Sequence, residues 1–181
     1  LSGEELIALQ KNLHNVLWGG GGTDDNEIFS SLVNIILAKI QDEGATESGK
    51  EYQFQVFAYG KDESELESAE TVFERINKIY RKALEQKLNL SEQETENANI
   101  IDRRKFGLNK LLYTVQQLER ISFVEGRNNF DGKDILGNFF EGIIRDGFKQ
   151  TKGQFFTPTN IIRFIRKCAC FFVRCVIDKV L

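Results

Sequence analysis

Leucine, isoleucine, valine and phenylalanine return at three- and four-residue intervals along most of this chain, a period that helices satisfy and strands do not. Leu6, Leu9, Leu13, Val16 and Leu17 define a first helix from about residue 2 to 18, opened by Ser2 and Glu5 at capping-box spacing. Residues 19–22, all glycine, end it. Asp24 or Asp25 starts a second helix, whose Ile28, Phe29, Leu32, Val33, Ile36, Leu37 and Ile40 make a face broad enough to require deep burial, and it stops near Gly44. A polar loop over 45–50 follows. Val72, Phe73, Ile76, Ile79, Tyr80, Ala83 and Leu84 set a third helix over 68–88, with Glu74 and Lys78 as an i,i+4 pair on its wet side. After an acidic, exposed connection over 89–99 with room for one helical turn, Leu108, Leu111, Leu112, Val115 and Leu118 set a fourth, ending near Ile121.

One segment breaks the period. Tyr52, Phe54 and Val56 alternate with Glu51, Gln53 and Gln55, which fits a short strand or an extended segment packed on helices. Residues 126–132 carry loop chemistry, and Ile135, Leu136, Phe139, Phe140, Ile143 and Ile144 return to helical spacing. The last segment, 158–181, is apolar on nearly all sides after Phe164 and needs a cover.

Length and charge bound the rest. With 181 residues and 41% hydrophobic content, the chain can build one core, or one domain and part of a second. A formal charge of -3 gives no global basic signature for nucleic acid, although residues 145–181 hold eight Lys/Arg against two Asp and residues 61–100 hold ten Asp/Glu against six Lys/Arg. Cys168, Cys170 and Cys175 lie too close together for a disulfide framework, which points to a reducing, cytoplasmic setting. No signal segment and no membrane-length apolar run is present, so no membrane partner is expected. A chain that starts at Leu1 and contains no methionine is expected to be a piece of a longer protein.

Most motif-like features have plain structural readings. The run of glycines before Thr23 lacks the lysine of a phosphate loop and is followed by Asp24 and Asp25, which repel phosphate. His14 has no cysteine or second histidine near it and reads as a half-exposed helix residue. The three cysteines lack paired spacing and a fourth ligand, so no metal site is expected there. Asp42-Glu43 and Asp62-Glu63 stand at a helix end or in a loop, where carboxylates are ordinarily solvated.

The exception is Lys152-Gly153-Gln154-Phe155-Phe156-Thr157-Pro158-Thr159-Asn160, which holds the only proline of the chain and precedes an apolar run from Ile161. Threonine before proline is a helix start, with the hydroxyl capping free N–H groups and proline at the first helical position, and such an end favours an anion. Together with Asp134-Ile135-Leu136-Gly137 and Phe140-Glu141, this stretch resembles the entry to the methyltransferase domain of modification (M) subunits of type I restriction-modification systems, the adenine-N6 DNA methyltransferases. Leu17-Trp18, Asn26-Glu27 and Ala38-Lys39-Ile40-Gln41-Asp42-Glu43 resemble, in order, the N-terminal helical domain of the same subunits.

The resemblance implies a mainly α chain. An N-terminal helical-bundle domain would occupy residues 1–130, and residues 131–181 would start the S-adenosylmethionine-dependent methyltransferase domain, truncated before its α/β part. It places Gln154, Phe155, Phe156, Thr157, Pro158 and Thr159 at the S-adenosylmethionine pocket. Thr159 departs from the basic residue often found at its position. The family's glycine-rich loop, Asp-Pro-Ala-x-Gly-Ser-Gly, and its Asn-Pro-Pro-Phe/Tyr motif both need prolines this chain lacks, so no catalytic residue is expected here and the isolated chain is expected to be inactive. Implied partners are DNA and the specificity and restriction subunits. Two other readings stay open: a stand-alone helical interaction module without cofactor, and part of a fused restriction-modification polypeptide.

Overall fold

Leu9, Leu13 and Leu17 form one stripe of α1 (Gly3–Trp18), and all three are buried. Each fully buried leucine of this kind contributes about 1.5–3 kcal/mol relative to exposure. The computed structural model describes residues 3–19, 24–59 and 65–124, together with Phe139, Gly142 and Ile143. Helix α2 (Asp25–Ala45) is capped by Asp24, whose carboxylate accepts the Asn26 N–H at 3.1 Å. Its buried set runs from Ile28 through Glu43 and covers more than one face, as expected of a helix placed between others.

Ser68 caps α3 (Ala69–Leu88) by accepting the Thr71 N–H at 3.1 Å. Val72, Phe73, Ile76, Ile79, Tyr80, Ala83 and Leu84 point inward, and the helix ends on Asn89 in the left-handed region at φ 53°. A single turn, α4 (Glu92–Thr95), interrupts the connection to α5 (Leu108–Leu118). Gly107 enters α5 at φ 80°, a backbone conformation that side-chain-bearing residues rarely adopt. Leu111, Val115 and Leu118 give α5 its buried stripe.

Four helices close around this core: α1 packs on α2 and α5, α2 on α3, and α3 on α5. The chain is therefore mainly helical, as its periodicity predicts. Among the described residues no helix is long and apolar enough to cross a membrane.

One local expectation resolves between its two readings and one needs correction. The alternating residues form not a strand but the extended segment packed on helices: Phe54 is buried and Tyr52 exposed, and residues 51–57 run over the helices. The sheet comes later, as an antiparallel pair of two-residue strands, β1 (Ala58–Tyr59) and β2 (Glu65–Leu66), with Ala58 opposite Leu66 and Tyr59 opposite Glu65. Glu74 and Lys78 both stay exposed without pairing to each other; the ion pair on this part of α3 belongs to Arg75, which lies between them and turns to Glu67. Ser2, residues 20–22, Asp62-Glu63, the 126–132 loop, the cysteines, the 158–181 segment and the division at 130/131 lie outside the described residues.

Candidate functional site

The six residues that the resemblance places at a cofactor, Gln154, Phe155, Phe156, Thr157, Pro158 and Thr159, lie outside the described residues. What is described is the scaffold on either side of residues 125–138, and four of its buried polar side chains, Lys39, Gln41, Asp42 and Glu43, lie close together on α2.

Asp42 and Glu43 are not solvated, contrary to expectation: they are 7% and 8% exposed. Asp42 Oδ2 accepts the Phe54 N–H at 2.8 Å. Glu43 Oε2 accepts the Phe123 and Val124 N–H groups, each at 2.9 Å, and the Ser122 hydroxyl at 3.1 Å, while its Oε1 lies 2.9 Å from Lys39 Nζ. Lys39 in turn sits over the Phe54 ring at 5.2 Å. Gln41 Nε2 donates to Gln86 Oε1 at 2.7 Å and ties α2 to α3.

Carboxylates in the last turn of a helix oppose its dipole. Here an ammonium group and three backbone N–H groups supply the compensation. The last two turns of α2 thus brace three segments that come much later in the chain.

The extended segment 53–57 is held the same way. Its N–H groups at Phe54, Val56 and Phe57 are accepted by Asp42, Glu119 and Glu67, each at 2.8 Å. Arg75 donates to the Gln53 carbonyl at 2.9 Å and the Gln55 carbonyl at 2.6 Å, and it grips both oxygens of Glu67. Its guanidinium also lies over the Phe57 ring, 4.6 Å from the centroid. Side chains here do what a neighbouring strand would do in a sheet. Burial alone would raise the Glu67 carboxyl, but the Arg75 hydrogen bonds, the Phe57 N–H and the Arg75 charge outweigh it and hold the group below its ordinary value.

The chain on the far side of residues 125–138 joins the same core. Phe139 and Ile143 are fully buried, and the Phe139 ring meets the Phe123 ring edge-on at 5.8 Å. Gln10 Nε2 donates to the Phe139 carbonyl at 3.3 Å, and the Gln10 amide lies where a side chain on Gly142 would project. Gly142→Ala is expected to displace Gln10 from that carbonyl and cost about 1–3 kcal/mol, measured by urea unfolding. Adding Gln10→Ala removes the clash, so the double variant should lose less than the sum of the two single losses.

A groove of about 490 Å³ opens between the first half of α2 and the 99–104 loop, lined by polar residues such as Ser30, Ser31, Asn34, Asp102 and Arg104 and by the apolar Ile100 and Ile101. Asn34 Nδ2 donates to the Ile100 carbonyl at 3.0 Å and Asn77 Oδ1 accepts the Ile100 N–H at 2.8 Å, so the loop is fixed from two helices. Lys105 Nζ lies 3.3 Å from Glu27 and 4.0 Å from Asp102. The groove presents hydroxyls, amides and charges of both signs. Sequence reasoning missed it; the paired serines interrupting the apolar face of α2 and the Arg103-Arg104-Lys105 run were the available signal.

His14 is half-buried and stacks on Trp18 at 5.3 Å, a packing role. Compared with known proteins, the chain matches no family model and no curated protein.

Proposed function

We propose that this chain is the N-terminal helical region, and the first edge of the cofactor site, of the modification subunit of a type I restriction-modification system. The parent would transfer a methyl group from S-adenosylmethionine to adenine N6 in DNA. The observation that carries this reading is Gly153-Gln154-Phe155-Phe156-Thr157-Pro158, standing after a mainly helical region.

The donor set suits the cofactor. If Thr157-Pro158 opens a helix, as its sequence predicts, the Thr157 hydroxyl and the N–H groups of that first turn would hold the methionine carboxylate, and Phe155 and Phe156 would give an apolar wall. By the same resemblance the Gln154 amide and the Thr159 hydroxyl would add hydrogen-bonding capacity. S-adenosylmethionine supplies the methyl group, and the target adenine would be flipped from the duplex to meet it. The residues that position the adenine amino group are assigned to the parent, outside this sequence. DNA and the specificity and restriction subunits are the partners this reading entails.

The full-length parent provides the test. Thr157→Ala should weaken S-adenosylmethionine binding by roughly 10- to 100-fold, the equivalent of about 1.5–3 kcal/mol for a hydrogen bond to a charged group. Unchanged affinity by calorimetry would remove Thr157 from the site. The purified 181-residue chain should transfer no tritiated methyl to DNA, and transfer would overturn the assignment of the catalytic residues to the parent.

A further inference from the structure

Residues 53–57 cross between two helices that are not a closely packed pair: α2 lies against α1 and α3, and α5 against α1 and α3. At the C-terminal ends of α2 and α5 the extended segment supplies a link, with the Phe54 N–H on Asp42 and the Val56 N–H on Glu119, the residue that follows α5. A second link lies beside it, where Glu43 of α2 accepts the Phe123 and Val124 N–H groups.

The two links share their anchors. Asp42 and Glu43 are consecutive, and Lys39, one turn earlier, touches both links: its Nζ lies 2.9 Å from Glu43 Oε1 and 5.2 Å from the centre of the Phe54 ring. Lifting Phe54 off Lys39 would bring water to the Lys39–Glu43 pair, and an ion pair in water holds little.

The flanks leave the segment able to move as one piece. Every residue from Glu47 to Gln53 is exposed, and so are all four residues of the β1–β2 ribbon on its other side. Phe54 is the only buried residue between 47 and 59. The segment is gripped by the side chains of Asp42, Glu67, Arg75 and Glu119, and few buried apolar contacts back them, the mark of a region that opens below the cost of global unfolding.

We propose that residues 53–57 are a strap that opens as one unit while the helices stay folded, and that residues 122–124, where the chain has left α5, are released in the same step. The closed strap fixes the end of α5 to the end of α2; the open one frees it. Any ligand that prefers the open form would shift this balance by its differential affinity. The inference stands on these contacts and is independent of the methyltransferase reading.

Hydrogen exchange of the folded 181-residue chain, resolved by residue, tests it. The Phe54, Val56, Phe57, Phe123 and Val124 amides should show equal protection within about threefold, and at least about 100-fold less than the most protected amides of α2 and α3. Arg75→Met, whose lost bonds are to the strap and to Glu67, should speed all five by a common factor of about tenfold or more. Phe54→Leu, a milder change that removes the ring over Lys39, should also speed all five together. Protection at Phe123 and Val124 that matches the helix interiors, or that differs from the strap by more than tenfold, overturns the proposal. So does a variant that speeds the strap amides and leaves Phe123 and Val124 unchanged. If neither variant folds, the protection pattern of the unaltered chain decides.

Discussion

Glu43→Ala is expected to destabilise the protein by about 3–5 kcal/mol, the usual consequence of removing one partner from a buried ion pair. The side chains of Lys39 and Glu43 are only 4% and 2% exposed, so the alanine variant leaves an ammonium group in the core with its carboxylate gone. It also strips the acceptor from the Phe123 and Val124 N–H groups, which lie where α5 has ended and the chain turns toward residues 125–138. For a domain whose total stability is about 5–15 kcal/mol, that loss is a large fraction. Urea unfolding followed by circular dichroism reads it directly. Lys39→Met combined with Glu43→Ala should recover part of the loss, because the stranded charge is gone, while the two backbone donors stay unpaired. A Glu43→Ala loss below 1 kcal/mol would mean that water reaches this pair.

Arg75→Met should cost about 2–4 kcal/mol, less than a fully enclosed pair because Arg75 is 17% exposed whereas Glu67 is 1% exposed. The damage is expected to be local: residues 51–67 lose the donors to Gln53 and Gln55 and the cation over Phe57, while the four-helix core keeps its contacts. Hydrogen exchange at the Phe57 and Glu67 amides should accelerate far more than exchange in α3.

The pH dependence should change sign. In the native protein the Glu67 carboxyl titrates below its ordinary value, so its contribution is present above the ordinary value of 4.5 and is lost as the pH falls through the lower folded value. Without Arg75, burial outweighs the remaining Phe57 N–H, the carboxyl titrates above its ordinary value, and mild acidification protonates a stranded charge and restores stability. Glu67→Gln should abolish both trends. An Arg75→Met variant that weakens between pH 7 and 5 would contradict this account.

Helix positions were legible because their determinants are local. The leucine stripe of α1, the caps at Asp24 and Ser68 and the inward set of α3 all follow from residues within a few positions of one another. Tyr52, Phe54 and Val56 were recognisable as the apolar side of an extended segment, though only Phe54 of the three is buried. The segment's bonding partners were not recognisable. An alternating pattern announces that a backbone needs hydrogen bonds without saying who supplies them, and here carboxylates and one guanidinium do so in place of strands.

Asp42 and Glu43 mark the same boundary from the other side. Read in sequence they are acids at a helix end; folded, they lie beneath residues 53–57 and 121–124, and the Glu43 bond to Phe123 spans 80 positions. The groove between α2 and the 99–104 loop is likewise built by segments 66 residues apart at the Asn34 to Ile100 bond. The sequence by itself therefore determined the helical class, the approximate helix bounds and the motif from Gly153 to Pro158 on which the functional proposal rests. Only the tertiary structure decided which charges are buried, what holds the extended segment and which ribbon stands exposed, because each depends on distant residues meeting and excluding water.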